Sequence, residues 1–106
     1  MIAHFVLMRL RRPDDVETVT TQVLSLRGRI PGLVGIIGGP TEIRTANSWE
    51  VGFLMLFHDQ ASTLDYQSHP AHVEVAGVIR PLIESMATCD PQTSADALTS
   101  LVPSRA

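Results

Sequence analysis

The chain has 106 residues, enough for one domain with one modest core. With 44% hydrophobic and 18% charged residues it is not an intrinsically disordered chain. A net charge of −3, carried without any basic run, argues against a nucleic-acid partner, because phosphate binding needs clustered cations.

The opening run "IAHFVLMRL", Ile2 to Leu10, is rich in β-formers and reads as the first strand. Its charges follow the apolar stretch instead of preceding it, and no small-residue cleavage site appears, so a secretory leader is not expected. In "RRPDDVETVTTQVLSLRGRIPG" the period changes. Asp14 or Asp15 caps a helix, and Val16, Val19, Val23, Leu24 and Leu26 recur at helical spacing until Gly28 and Pro31 stop it. Leu33 to Gly39 is a short strand, "PTEIRTANS" a polar loop, and Trp49 to His58 a third strand. Asp59 caps a short helix. His69-Pro70 interrupts it, and a second helical piece runs from Ala71 to about Leu82. Glu84 to Asp90 is the fourth strand. The sequence thus divides into a domain over residues 1–90 and a small, polar, flexible tail over 91–106 with at most one weak helical turn. No stretch approaches the roughly 20 apolar residues of a membrane span. The single Cys89 cannot form an internal disulfide, which fits a cytoplasmic location.

The order β-α-β-β-α-β is that of a ferredoxin-like α+β fold, a four-stranded antiparallel sheet with its helices on one face. A sheet with one wet face alternates apolar with polar residues. These strands do not. In the third strand Trp49, Val51, Phe53, Met55 and Phe57 oppose Leu54 and Leu56; in the first, Ile2, Val6 and Met8 oppose Ala3, Phe5 and Leu7. Two helices cover one face only, so a second copy is expected to cover the other, giving a homodimer with facing sheets, an α+β barrel.

Candidate chemistry gathers in "DYQSHPAHVEV", Asp65 to Val75. The residue before a proline is pushed out of helical geometry and proline suits the first helical position, so His69 reads as the N-cap, Pro70 as N1 and His72 as N3. An imidazole in the first turn feels the positive end of the helix dipole, which favours the neutral form a general base needs. The Tyr66 hydroxyl can face the same hollow. His4 lies on the strand face of Val6 and Met8, and Asp90 is placed to hold an imidazole N–H if its strand neighbours the first strand or the second helix. His69 is expected to be structural, and His58 a surface residue. The spacing of His4, His69 and His72 matches no zinc pattern, so no metal is assigned. "GLVGIIGGP" lacks both a following helix and a lysine, so it is neither a P-loop nor a dinucleotide fingerprint; Gly38 and Gly39 read as a bulge or turn at the strand end. Cys89 reads as a packing residue.

"MIAHFVLMRL" with an acidic helix start, "IPGLVGI", "WEVGFLMLF" and above all "LDYQSHPAHVEVAGVIRPLIE" resemble the stress-responsive A/B barrel, or Dabb, family over roughly residues 1–90. The resemblance implies a ferredoxin-like fold and a dimeric α+β barrel. The family includes olivetolic acid cyclase, a polyketide cyclase that works without a cofactor, and stress-induced proteins with no assigned reaction. Its cyclase residues map onto Tyr66 and His72 as the acid/base pair, with His4 lining the site and Asp90 orienting His72. The helix after His72 lacks the glycine- and aromatic-rich run that walls the alkyl pocket of the plant enzyme.

The leading expectation is a cofactor-independent enzyme acting on a small, carbonyl-rich, apolar molecule by aldol-type cyclisation, isomerisation or a lyase step. His72 is the base, Tyr66 the hydrogen-bond donor to an enolate oxygen, and Val6, Leu24, Phe53 and Leu64 line the pocket. The alternatives are a non-catalytic stress-response or ligand-binding module and, more weakly, a cofactor-free monooxygenase.

Overall fold

Ile2–Leu10 form β1, and its alternating burial sets His4, Val6, Met8 and Leu10 on one face and Phe5 and Leu7 on the other. The computed structural model describes residues 1–102. After β1, Pro13–Asp15 make a 3-10 turn with proline at its first position, and α1 runs over Val16–Leu24 with Val19 and Val23 buried. The helix ends earlier than the apolar spacing suggests, and turns occupy residues 25–29, with Gly28 at φ 73°. Next come β2 (Leu33–Pro40) and β3 (Val51–Phe57). Trp49 and His58, expected inside the third strand, lie just outside it; the Trp49 ring instead stacks under the Arg9 guanidinium at 4.8 Å.

Asp59 caps α2 (Gln60–Tyr66), its carboxylate accepting the Ser62 N–H at 2.8 Å. Then α3 runs over Pro70–Ile79, a 3-10 turn over Arg80–Leu82, and β4 over Ile83–Cys89. The sheet is antiparallel throughout, in the order β2-β3-β1-β4. This is the expected ferredoxin-like arrangement.

The inner face carries the core. Val51, Phe53, Met55 and Phe57 pair across β1 with Met8, Val6, His4 and Ile2, and Val19, Val23, Leu26, Val75 and Ile79 close over them. Gly38 sits in register opposite Phe53, at φ 136°; a Cβ there would lie 2.1 Å from the Gly52 carbonyl oxygen. The two strands approach too closely for any other residue. The register shift of β2 falls at Leu33/Gly35, so the expected bulge at Gly38 and Gly39 is not where the strand is irregular.

The outer face is apolar and largely uncovered. Phe5 is 43% exposed, Leu7 42% and Ile37 64%. Cys89, opposite Phe5 in the β1–β4 register, is exposed on the same face and is not a packing residue in the single chain.

The segment beyond residue 90 is more structured than its polar composition suggests. It continues the β1–β4 ladder through Ala3 N–H to Pro91 C=O and Thr93 N–H to Met1 C=O, 3.0 and 2.9 Å. Ser94 then caps α4 (Ala95–Leu101). Leu98 of α4 shares a shallow hollow with Gly35, Ile37, Leu54 and Leu56, so the helix covers one corner of the outer face. Among the described residues no helix is long and apolar enough to cross a membrane.

Candidate functional site

Two main helices, α1 and α3, cannot roof four strands, and the uncovered strip lies toward β4, an edge strand. There a cavity of about 180 Å³ opens between α3 and the inner face. Val6, Met8, Phe53 and Met55 floor it, Val23 and Leu26 close one side, and Val75, Ala76 and Ile79 of α3 close the other. Its mouth is framed by Arg80, Ile83, Met86 and Thr88. His4, Tyr66, Gln67 and His72 make the polar end.

Pro70 creates that polar end. Lacking an N–H and crowding the residue before it, it holds His69 extended (φ −65°, ψ 135°). His69 Nδ1 then accepts the Ala71 N–H at 3.1 Å, so this imidazole is spent as a helix cap. His69 lines a separate cleft beside Gly32, Ser62 and Asp65. His72 comes one position past the capped N–H, on the face toward the cavity. Its Nδ1 lies 2.9 Å from the Gln67 carbonyl oxygen. A carbonyl only accepts, so Nδ1 carries the proton and Nε2 keeps its lone pair. The helix break between α2 and α3 thereby fixes a base tautomer.

Tyr66, the last residue of α2, is buried with its ring centroid 4.2 Å from that of His72 and its hydroxyl 3.7 Å from Met55 Sδ. Burial, with a smaller push from the Asp90 carboxylate, raises its phenol to about 12. The group therefore remains a hydrogen-bond donor at any ordinary pH. On the other side of Tyr66, at 5.8 Å between centroids, lies His4, the one buried polar residue of the inner face among the described residues.

Asp90 holds His4. The β1–β4 register pairs Phe5 with Cys89, which brings the next residues, His4 and Asp90, together; His4 Nδ1 bonds the Asp90 carboxylate. This corrects the role carried over from the family resemblance, in which Asp90 orients His72; the Gln67 carbonyl does that. Asp90 is half exposed and lines a cleft on the far side of His4 and Tyr66 from the cavity.

Of the expected pocket residues, Val6 and Phe53 line the cavity and Leu24 and Leu64 do not. Leu24 packs at the core's edge while Val23 and Leu26 take its place. Leu64 is 63% exposed, because the Asp59 cap sets the phase of α2 and turns position 64 to solvent. Sequence reasoning missed Gln67, Arg80, Met86 and Thr88. Only Gln67 had a legible signal, standing two residues before the capping histidine. Among the described residues no three of His, Cys, Asp and Glu converge as metal ligands.

The family model described as "Stress responsive A/B Barrel Domain" matches residues 2–92. Among curated proteins none matches the sequence. Solved structures resemble the fold closely. A protein from Arabidopsis thaliana is 19% identical over 90% of this chain and 97% of its own, with a TM-score of 0.76. A dimeric ferredoxin-like protein of unknown function from Thermobifida fusca is 24% identical over 87% and 90%, with a TM-score of 0.77. A hydroxynitrile lyase from Passiflora edulis is 16% identical over 89% and 94%, with a TM-score of 0.74.

Proposed function

Since the chain belongs to the stress-responsive A/B barrel family, we propose that it is a homodimeric acid–base enzyme for small carbonyl compounds, working through its own imidazole and phenol groups. The observation that carries this reading is the pairing at the polar end of the cavity: an imidazole with its Nδ1 proton anchored on a carbonyl, 4.2 Å from the ring of a buried phenol. His72 Nε2 takes a proton from the carbon next to a carbonyl. The electron pair moves onto the carbonyl oxygen, where the Tyr66 hydroxyl donates a hydrogen bond to the developing enolate. In the aldol form of the reaction the enolate carbon attacks a second carbonyl of the same molecule. The imidazolium then returns its proton to the new alkoxide. Reversal of the same steps cleaves a carbon–carbon bond, and the fold shared with a hydroxynitrile lyase is compatible with that direction.

The cavity favours a small substrate. A cavity of about 150 Å³ accommodates benzene, and this one, at about 180 Å³, admits a ring with one short substituent. His4, fixed by Asp90, supplies a second imidazole wall on the opposite side of Tyr66.

The dimer follows from the outer face. Phe5, Leu7 and Ile37 set exposed apolar side chains on one face of the sheet, the kind of surface that marks an interaction site, and similar folds from Thermobifida fusca and other bacteria are described as dimeric. The cytoplasm suits Cys89, an exposed thiol with no partner in the described chain.

Acetophenone tests the reaction, since it fits the cavity and its methyl protons exchange slowly by themselves. In deuterated buffer followed by proton NMR, the wild type accelerates exchange, and His72→Ala loses about 10²–10⁴-fold of that acceleration. Exchange at the buffer rate in the wild type, with acetophenone nevertheless raising the melting temperature, would replace the enzyme by a binding module.

A further inference from the structure

The cavity has a charge asymmetry that the acid–base reading leaves unused. None of its lining residues is an aspartate or glutamate, and one, Arg80, is a permanent cation. Asp90 lines the other cleft and its carboxylate is taken by His4.

Most of the other described arginines are engaged elsewhere; Arg11, like Arg80, has no carboxylate within 4 Å, but of the two only Arg80 lines the cavity. Arg12, Arg29 and Arg44 pair with Asp14, Glu74 and Glu50. Arg27 donates from Nε and one Nη to the Ile36 carbonyl, and Arg9 stacks on Trp49. Among the described residues, Arg80 has no carboxylate within 4 Å. It caps the C-terminus of α3, its backbone N–H bonded to the Ala76 carbonyl. A cation gains from the helix dipole there whichever way the helix faces; here it stands at the cavity mouth beside Met86 and Thr88.

We propose that the natural substrate is a small carboxylate, an aromatic or keto acid whose reacting carbonyl lies against His72 and Tyr66 and whose anion is held by Arg80 at the mouth. The proposal deepens the acid–base reading and rests on it for which end reacts. His72 and Arg80, the C-cap of α3, are eight positions apart, about 12 Å along the axis at 1.5 Å per residue. The reach of both side chains shortens that span to the length of one ring with a para substituent. The apolar walls hold the body, and the planar guanidinium fork matches a carboxylate.

Binding of paired probes tests this without requiring turnover. Acetophenone and 4-acetylbenzoate differ by the carboxylate alone, and their affinities are measured by calorimetry with the full chain. 4-Acetylbenzoate should bind the wild type at least about tenfold more tightly than acetophenone, the scale of one charge-assisted hydrogen bond, and the advantage should shrink with added salt. Arg80→Gln should bring the two affinities together. Arg80→Lys, which keeps the charge without the fork, should restore part of the difference. His72→Ala should keep it. Equal affinities in the wild type, failure of both probes to bind, or a preference that survives Arg80→Gln overturns the proposal. A carboxylate preference without any catalysed proton exchange supports it while removing the acid–base reading.

Discussion

The two faces of the sheet are built from the same kinds of residue and end in different states. Along β1, Val6 and Met8 are sealed under α1 and α3, while Phe5 and Leu7, one position away, stand over 40% exposed. Along β3 the inner Phe53, Met55 and Phe57 are almost fully buried, whereas Leu54 and Leu56 remain partly exposed. Hydrophobicity therefore did not decide which residues this chain buries; the position of its own helices did. The inner face is finished within one chain except for the strip beside β4, where the cavity lies. The outer face has only α4 over one corner. A sheet this apolar on both sides reads as a component to be completed, and completion of the inner strip by a ligand and of the outer face by a second copy are separable events.

The sharpest separation is a matched pair of truncations. Phe57→Ala, on the inner face with no exposed surface, should cost about 3–5 kcal/mol in denaturant unfolding, the sum of lost transfer energy and an unfilled cavity. Phe5→Ala, half in water already, should cost far less in a chain held monomeric by dilution. Similar losses at the two positions would mean that the faces are equivalent within one chain.

Next in size is the assembly itself. Phe5→Asp places a carboxylate in the middle of the outer face. An unpaired charge in an apolar interface costs several kcal/mol, so the dimer dissociation constant should rise by more than about a hundredfold while the circular dichroism of the monomer is retained. Sedimentation velocity reads it. An unchanged dimer would move the interface elsewhere.

A third test reports on the polar end of the inner face. Tyr66 has a folded value near 12 against an ordinary 10.0, because burial disfavours the phenolate. Protonated phenol thus favours the fold. Its contribution is intact below pH 10 and is lost as the pH rises toward 12, since the unfolded chain releases the proton first. The melting temperature should fall across that window, and Tyr66→Phe should flatten the fall. An equal slope in both proteins would show that the Tyr66 phenol does not carry the alkaline loss of stability.

How much of this was legible beforehand depends on whether a feature is local. Ile2–Leu10 is a strand in sequence and in structure because β-formers run unbroken to the turn at Pro13. The cap at His69 and the first helical position of Pro70 follow from the ring of one residue. The pocket was not local. Leu24 differs from Val23 only by the phase of α1 against the sheet, and Leu64 from Tyr66 only by the phase that Asp59 imposes on α2. Asp90 does hold an imidazole, but that of His4 and not that of His72. Its imidazole is set by the pairing of Phe5 with Cys89, eighty-four positions apart, which no spacing rule contains. Arg80 was invisible for the same reason, since only the fold turns the end of α3 onto the cavity. The tail shows the opposite error. Small polar residues suggested a loose tail with at most one weak turn, yet two backbone bonds to Met1 and Ala3 and one serine cap place a seven-residue helix.

The smallest expected effect separates the two imidazoles of "HPAH". His69 gives its Nδ1 to a backbone N–H, and His72 takes a backbone carbonyl. Removing an N-cap costs about 1 kcal/mol, so His69→Ala should lower stability by that amount, with Asn at the same position restoring most of it. The fully formed cavity of His69→Ala at low temperature should still accelerate acetophenone exchange to within a few fold of the wild type. His72→Ala should behave inversely, with melting almost unchanged and exchange abolished. Both rings stand at the N-terminal end of α3, one as its cap and one in its first turn, so a helix that merely frayed would weaken both readouts in both variants. Opposite responses from neighbouring histidines require that one is consumed by the fold and the other left free for chemistry.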